Sequence, residues 1–95
     1  MKLEQVRALH RAQSIETFRA VRSYWDGVFK GWVLCVDYVA YSRPHQTAQL
    51  TTFRNEIRRF VTLDTLLHTV EQIAEGRQYY LNVNLPQSYD HESTN

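Results

Sequence analysis

Ninety-five residues, 43% of them hydrophobic and 22% charged, suffice for one small domain and are too apolar for disorder over most of their length. The formal net charge is +1, with seven basic against four acidic side chains in residues 1–47 and four against six in residues 48–95. That asymmetry permits an anionic partner without demanding one. Cys35, the only cysteine, excludes an internal disulfide framework and fits a reducing compartment. With no signal-like segment at the start and no apolar run of membrane length, a cytoplasmic protein with no membrane role is expected.

Along the chain, Leu3, Val6 and Leu9 fall at helical spacing, and Phe18, Val21, Trp25 and Val28 continue at i, i+3, i+7 and i+10. Ser14 lies between the two stripes and could cap a second helix. The spacing predicts a largely continuous first helix ending near Asp26-Gly27. Asp-Gly is also a hairpin signal, so strand, turn, strand is the competing reading of this stretch; the period of 3.6 favours the helix. Gly31 to Tyr41, "GWVLCVDYVAY", is β-branched and aromatic and predicts a strand, central in its sheet because both of its faces are apolar. "SRPHQT", Ser42 to Thr47, reads as a loop.

Gln49 to Phe53 and Glu56 to Val61 are expected to pair as a hairpin across Arg54-Asn55, Asn tolerating positive φ. Thr62 then reads as the N-cap of an amphipathic helix whose apolar face is Leu63, Leu66, Leu67, Val70, Ile73 and Ala74, with Gly76 as its stop. Arg77 to Pro86 predicts a last strand with Tyr79, Leu81, Val83 and Leu85 inward. Residues 87–95 are a polar tail expected to be disordered. The resulting order, α-β-β-β-α-β over residues 1–86, implies an α+β domain with an antiparallel or mixed sheet and helices on one face.

Chemistry-bearing motifs are scarce. His10, His45, His68 and His91 stand at no metal-ligand spacing, to one another or to Cys35, and read as isolated surface histidines; no metal or cofactor is expected. Cys35, mid-strand among valines and a leucine, reads as a small buried hydrophobe. Asp37 is the odd residue of that strand and, if buried, needs a partner, for which a hairpin arginine is the natural candidate. No phosphate loop or nucleophile elbow is present, so no enzyme activity and no small-molecule substrate are expected.

Binding is the better expectation. Arg54 at the turn, Arg58 and Arg59 on opposite strand faces, and Arg19 with Arg22 form the candidate contact set for a protein or nucleic acid. The second helix, with Asp64, His68, Glu71, Gln72 and Glu75 outward, would repel DNA. Twelve aromatic residues, six of them tyrosine, exceed what so small a core requires. Tyr24, Tyr41 and Tyr80 are therefore candidate interface residues for a homodimer or another protein.

The runs "GWVLCVDYV" and "QLTTFRNEIRRFVTLDTLLHTVEQI" resemble small ParC-like partition-associated or plasmid-stability proteins of bacterial plasmids. The shared pattern is an aromatic strand, an L-T-x-R hairpin, an R-x-F strand and an L-D-initiated helix, covering roughly Gly31 to Leu85. Asn55 stands where a turn glycine belongs to the pattern, and the first helix has no counterpart. The resemblance implies a bacterial, cytoplasmic, non-enzymatic protein linked to plasmid maintenance; with the arginine set, the expectation is a homodimeric accessory protein acting through protein contacts, with DNA a second candidate partner. A protein-only adaptor or inhibitor with a tyrosine-rich surface is the alternative.

Overall fold

A computed structural model describes residues 1–40 and 43–84. Their elements are α1 (Leu3–Arg11), β1 (Ile15–Trp25), β2 (Val28–Ala40), β3 (Arg43–Gln49), β4 (Arg59–Phe60), α2 (Leu63–Ala74) and β5 (Leu81–Asn84). The strands run β3-β2-β1-β5 across one mixed sheet, and β4 joins the β3 edge of β2. With the two-residue β4 set aside, the order is the expected α-β-β-β-α-β, and the domain is α+β.

The residues filling that order differ from expectation in the first half. The first helix stops at Arg11, and Ile15–Trp25 is a strand paired antiparallel with β2. Phe18, Val21, Trp25 and Val28 share no helical face: Phe18 and Ala20 point into the core, while Val21 and Trp25 lie on the other side of the sheet. The helical spacing was coincidental, and the Asp-Gly signal identified the turn. Both turn residues take positive φ, 53° at Asp26 and 78° at Gly27, as a two-residue type I′ hairpin requires. The stretch read as a loop is largely β3, antiparallel to the C-terminal half of β2.

The second half keeps closer to expectation. The chain turns across Arg54-Asn55 with Asn55 at φ 66°, and the expected hairpin keeps a Thr51–Ile57 bridge and the Thr52 N–Glu56 O and Arg58 N–Leu50 O hydrogen bonds, while β4 pairs with β2 instead. Thr62 caps α2, its Oγ1 accepting from the Thr65 amide at 3.2 Å, and Leu66, Val70, Ile73 and Ala74 are buried. β5 is short and parallel to β1; Tyr79 and Leu81 pack on the core, whereas Val83 stays exposed. Leu85, Pro86 and the polar tail lie outside the described residues, as does Tyr41.

Both helices lie over one face of the sheet. There Val6 of α1 and Leu66, Val70 and Ile73 of α2 meet Phe18, Ala20, Trp32, Leu34 and Val36, with Leu50 and Phe60 closing the side. At their C-terminal ends the helices are tied by Arg11, which donates to both carboxylate oxygens of Glu75 at 2.9 and 3.0 Å. His10, expected at the surface, is instead only 8% exposed, its ring 6.0 Å from that of Phe18. Burial, and then the nearby Arg77 charge, hold its imidazole below the usual histidine range. Among the described residues, no helix is long and apolar enough to cross a membrane.

Gly31 governs how closely β4 approaches. The β1–β2 register shifts next to it, between Ser23 and Tyr24, so that Lys30 is the extra residue of a bulge. Gly31 takes φ +115°, and a Cβ there would stand 2.6 Å from the Phe60 carbonyl oxygen. Gly31→Ala is expected to lower stability by at least about 2 kcal/mol, read from the denaturant midpoint, because backbone strain and a backbone clash add.

Candidate functional site

The sheet face that the helices leave open is built by alternation: Thr17, Arg19, Val21 and Ser23 from β1, and Val33, Cys35, Asp37 and Val39 from β2. Thr47 and Gln49 of β3, Arg59 of β4 and Asn82 of β5 extend it, each opposite a residue of that face. At its centre Arg19 grips Asp37 with two hydrogen bonds, Nε to Oδ2 at 2.7 Å and Nη2 to Oδ1 at 3.0 Å, and Thr47 Oγ1 donates to Oδ1 at 2.7 Å. The Arg19 guanidinium, helped by the Thr47 hydroxyl, holds the Asp37 carboxyl below its usual range against the opposing effect of burial. Asp37 therefore has the structural ion pair expected of it, but the partner comes from β1 and not from the 54–59 arginines. Only pairing of β1 beside β2 creates that contact, and a helical reading of residues 15–25 hides it.

Cys35 is buried as expected, although on the open face, and burial pushes its thiol up. Beside Asp37, Glu16, Thr17, His45, Gln46 and Thr47 line a shallow depression of about 270 Å³. Its Glu16 and exposed His45 stand 3.4 Å apart, and no metal-holding group of His, Cys, Asp and Glu exists among the described residues.

The candidate arginines do not make one surface. Arg19 and Arg59 share the open face, where Arg59 Nε donates to Ser23 Oγ at 3.3 Å. Arg22 lies on the helix side with its guanidinium 5.2 Å from the Trp32 ring centre. Arg58 covers Phe60 at 4.8 Å, and Arg54 covers Phe53 at the turn at 5.6 Å. Consecutive strand residues point to opposite faces, which separates Arg58 from Arg59 as expected and denies the set a common plane. The tyrosines are separated too. Tyr24 is exposed near the β1–β2 turn, whereas Tyr80 is exposed beside Phe18, six residues or about 20 Å away along β1.

The most conspicuous surface is the tip of the β1–β2 ribbon, which the expected first helix concealed. Trp25 is 75% exposed and faces its strand partner Val28, which is 55% exposed. Ser23, Trp25, Lys30 and Arg59 line a cavity of about 420 Å³ beside it. On the opposite side the rings of Tyr24, Phe29 and Trp32 meet edge to face in sequence, with centroids 5.8 and 6.0 Å apart. The tip is thus stiffened on one side and apolar with cationic flanks on the other. The Asp-Gly pair was the signal that could have found it.

No family model, curated protein or solved structure matches the chain.

The Arg19–Asp37 pair makes stability depend on pH in a defined direction. A depressed carboxyl contributes stability in full above its unfolded pKa, about 4, and loses it as pH falls through the lower folded value. Asp37→Asn is expected to cost about 1 kcal/mol at neutral pH, the pair being open to some water, and to flatten the acid limb of a stability–pH profile.

Proposed function

We propose that this chain is a non-enzymatic accessory protein of plasmid maintenance that acts by binding another protein through the tip of its β1–β2 ribbon. The exposed Trp25 carries this reading. Tryptophan and arginine are among the residues that most often dominate protein interfaces, and one side of the tip gathers Trp25, Val28, Lys30 and Arg59, with Tyr24 and Phe29 on the other side. An apolar cluster held at the end of a hydrogen-bonded ribbon also loses little conformational freedom on binding. The plasmid context comes from the sequence resemblance, as does a cytoplasmic location.

Three features favour a protein partner over duplex DNA. Duplex binding draws its affinity from several clustered cations, and here Arg19 is paired with Asp37 while Arg22, Arg54 and Arg58 point elsewhere. Asp26 puts a carboxylate at the apex of the ribbon, the wrong sign for entering a groove walled by phosphates. The polar side of α2, with Asp64, Glu71 and Glu75 exposed, adds further repulsion. An enzyme reading gains little support, since Asp37 is engaged and Cys35 is buried with a raised pKa. The expected homodimer is a special case of the same surface, with a second copy as the partner.

The test is segregational retention of the replicon that encodes the chain, with Trp25→Ser/Val28→Ser compared against wild type and a gene deletion. Loss of a tryptophan anchor costs about 2 kcal/mol or more, some thirtyfold in affinity, so the variant is expected to lose retention to the deletion level while its circular dichroism is unchanged. Wild-type retention by the folded variant overturns the proposal. Steep salt-dependent binding of a labelled duplex would return the contact to DNA.

A further inference from the structure

A second concave surface lies on the opposite flank, between the start of α1 and the 51–58 turn. Lys2, Leu3, Glu4, Gln5, Thr51, Thr52, Phe53 and Arg58 enclose about 640 Å³, inside the ~300–1,000 Å³ span of small-molecule sites. Phe53 is 79% exposed on a closely hydrogen-bonded turn. Its turn is closed by Thr52 N donating to the Glu56 carbonyl at 2.8 Å, and by Thr52 Oγ1 accepting from the Arg54 and Glu56 amides at 3.2 and 3.4 Å. The turn fixes the backbone that carries the ring, which lines the groove with Leu3 and the methylene stems of Lys2 and Arg58.

Cations outnumber acids in the groove. Its one carboxylate, Glu4, is engaged by Arg7 at 2.9 Å. Gln5 Oε1 is occupied by the Lys2 amide at 2.8 Å, and Thr52 Oγ1 is occupied by the turn. Lys2 and Arg58 form no ion pair among the described residues, and Arg58 is steadied over the Phe60 ring. Thr51, also in the lining, has its hydroxyl oxygen buried without a hydrogen-bond partner among the described residues.

We propose that this groove binds a small amphipathic anion, an aliphatic chain ending in one carboxylate, with the chain against Leu3 and Phe53 and the carboxylate between Lys2 and Arg58. A neutral aliphatic would leave both cations unanswered, and an aliphatic cation would be repelled by them. The site is independent of the ribbon tip and of the role given to it.

Octanoate, octanol and octylammonium are the probes, titrated into the ¹⁵N-labelled chain while amide shifts are followed by NMR. Octanoate is expected to shift the amides of Leu3, Thr51 and Phe53 saturably. Arg58→Gln, checked for a native spectrum, is expected to weaken it about tenfold, as loss of a charged hydrogen bond does. Phe53→Ser, at an exposed position, provides a second variant that keeps the fold and weakens binding through the chain instead of the head. Equal binding of octanol or octylammonium, saturable shifts elsewhere only, or no saturation overturns the proposal. So does concentration-dependent broadening of the groove amides without any probe, which would give the groove to a second copy of the chain.

Discussion

The two-residue turn at Asp26-Gly27 is the constraint from which the architecture follows. With both residues at positive φ, the turn matches the right-handed twist of its strands and fixes the β1–β2 register over residues 15–40. A slip of one residue would turn every side chain of one strand to the opposite face from its present partners. Either Phe18 and Ala20 or Leu34 and Val36 would then leave the core, and Arg19 would lose Asp37. β2 in turn carries β3 and β4 on its other edge, β3 along its C-terminal half and β4 near Gly31, where the missing side chain lets the Phe60 carbonyl in, while β5 pairs with β1.

From that register the surface divides by chemistry. The helix-covered face is apolar, and the open face is mixed, with Val21, Val33, Cys35 and Val39 around the central Arg19–Asp37 pair. What neither layer uses is pushed to the margins: Trp25 and Val28 at the ribbon tip, and Phe53 on its turn beside α1. Each is held by a hydrogen-bonded turn, so the apolar surface is presented in a fixed shape. Exposed aromatic residues in defined geometry mark contact surfaces more convincingly than the same residues on mobile loops.

How much of this was legible in the sequence depended on how local the signals were. α2 could be read almost to the residue, because Thr62, the Leu66-Val70-Ile73 stripe and the stop at Glu75-Gly76 act within one or two turns. The Arg54-Asn55 turn was legible for the same reason. Residues 15–25 were not. Ala20 and Arg22 blur the period-2 alternation, so an accidental 3.6 spacing of Phe18, Val21, Trp25 and Val28 outweighed an Asp-Gly pair that proved decisive. The Arg19–Asp37 pair joins residues 18 apart and appears only once two strands are laid side by side. The buried His10 likewise depends on tertiary packing, against Phe18, that its own helix does not announce.

The central claim is that the ribbon presents Trp25 to solvent while Trp32 is enclosed. Acrylamide quenching of the single-tryptophan variants Trp32→Phe and Trp25→Phe tests it directly. The first should emit at long wavelength and be quenched steeply at any protein concentration that keeps the chain monomeric, while the second should emit further to the blue and resist quenching. A blue-shifted, protected Trp25 in the monomer would contradict the claim, because that side chain would then belong to the core and the ribbon would have no tip to bind with.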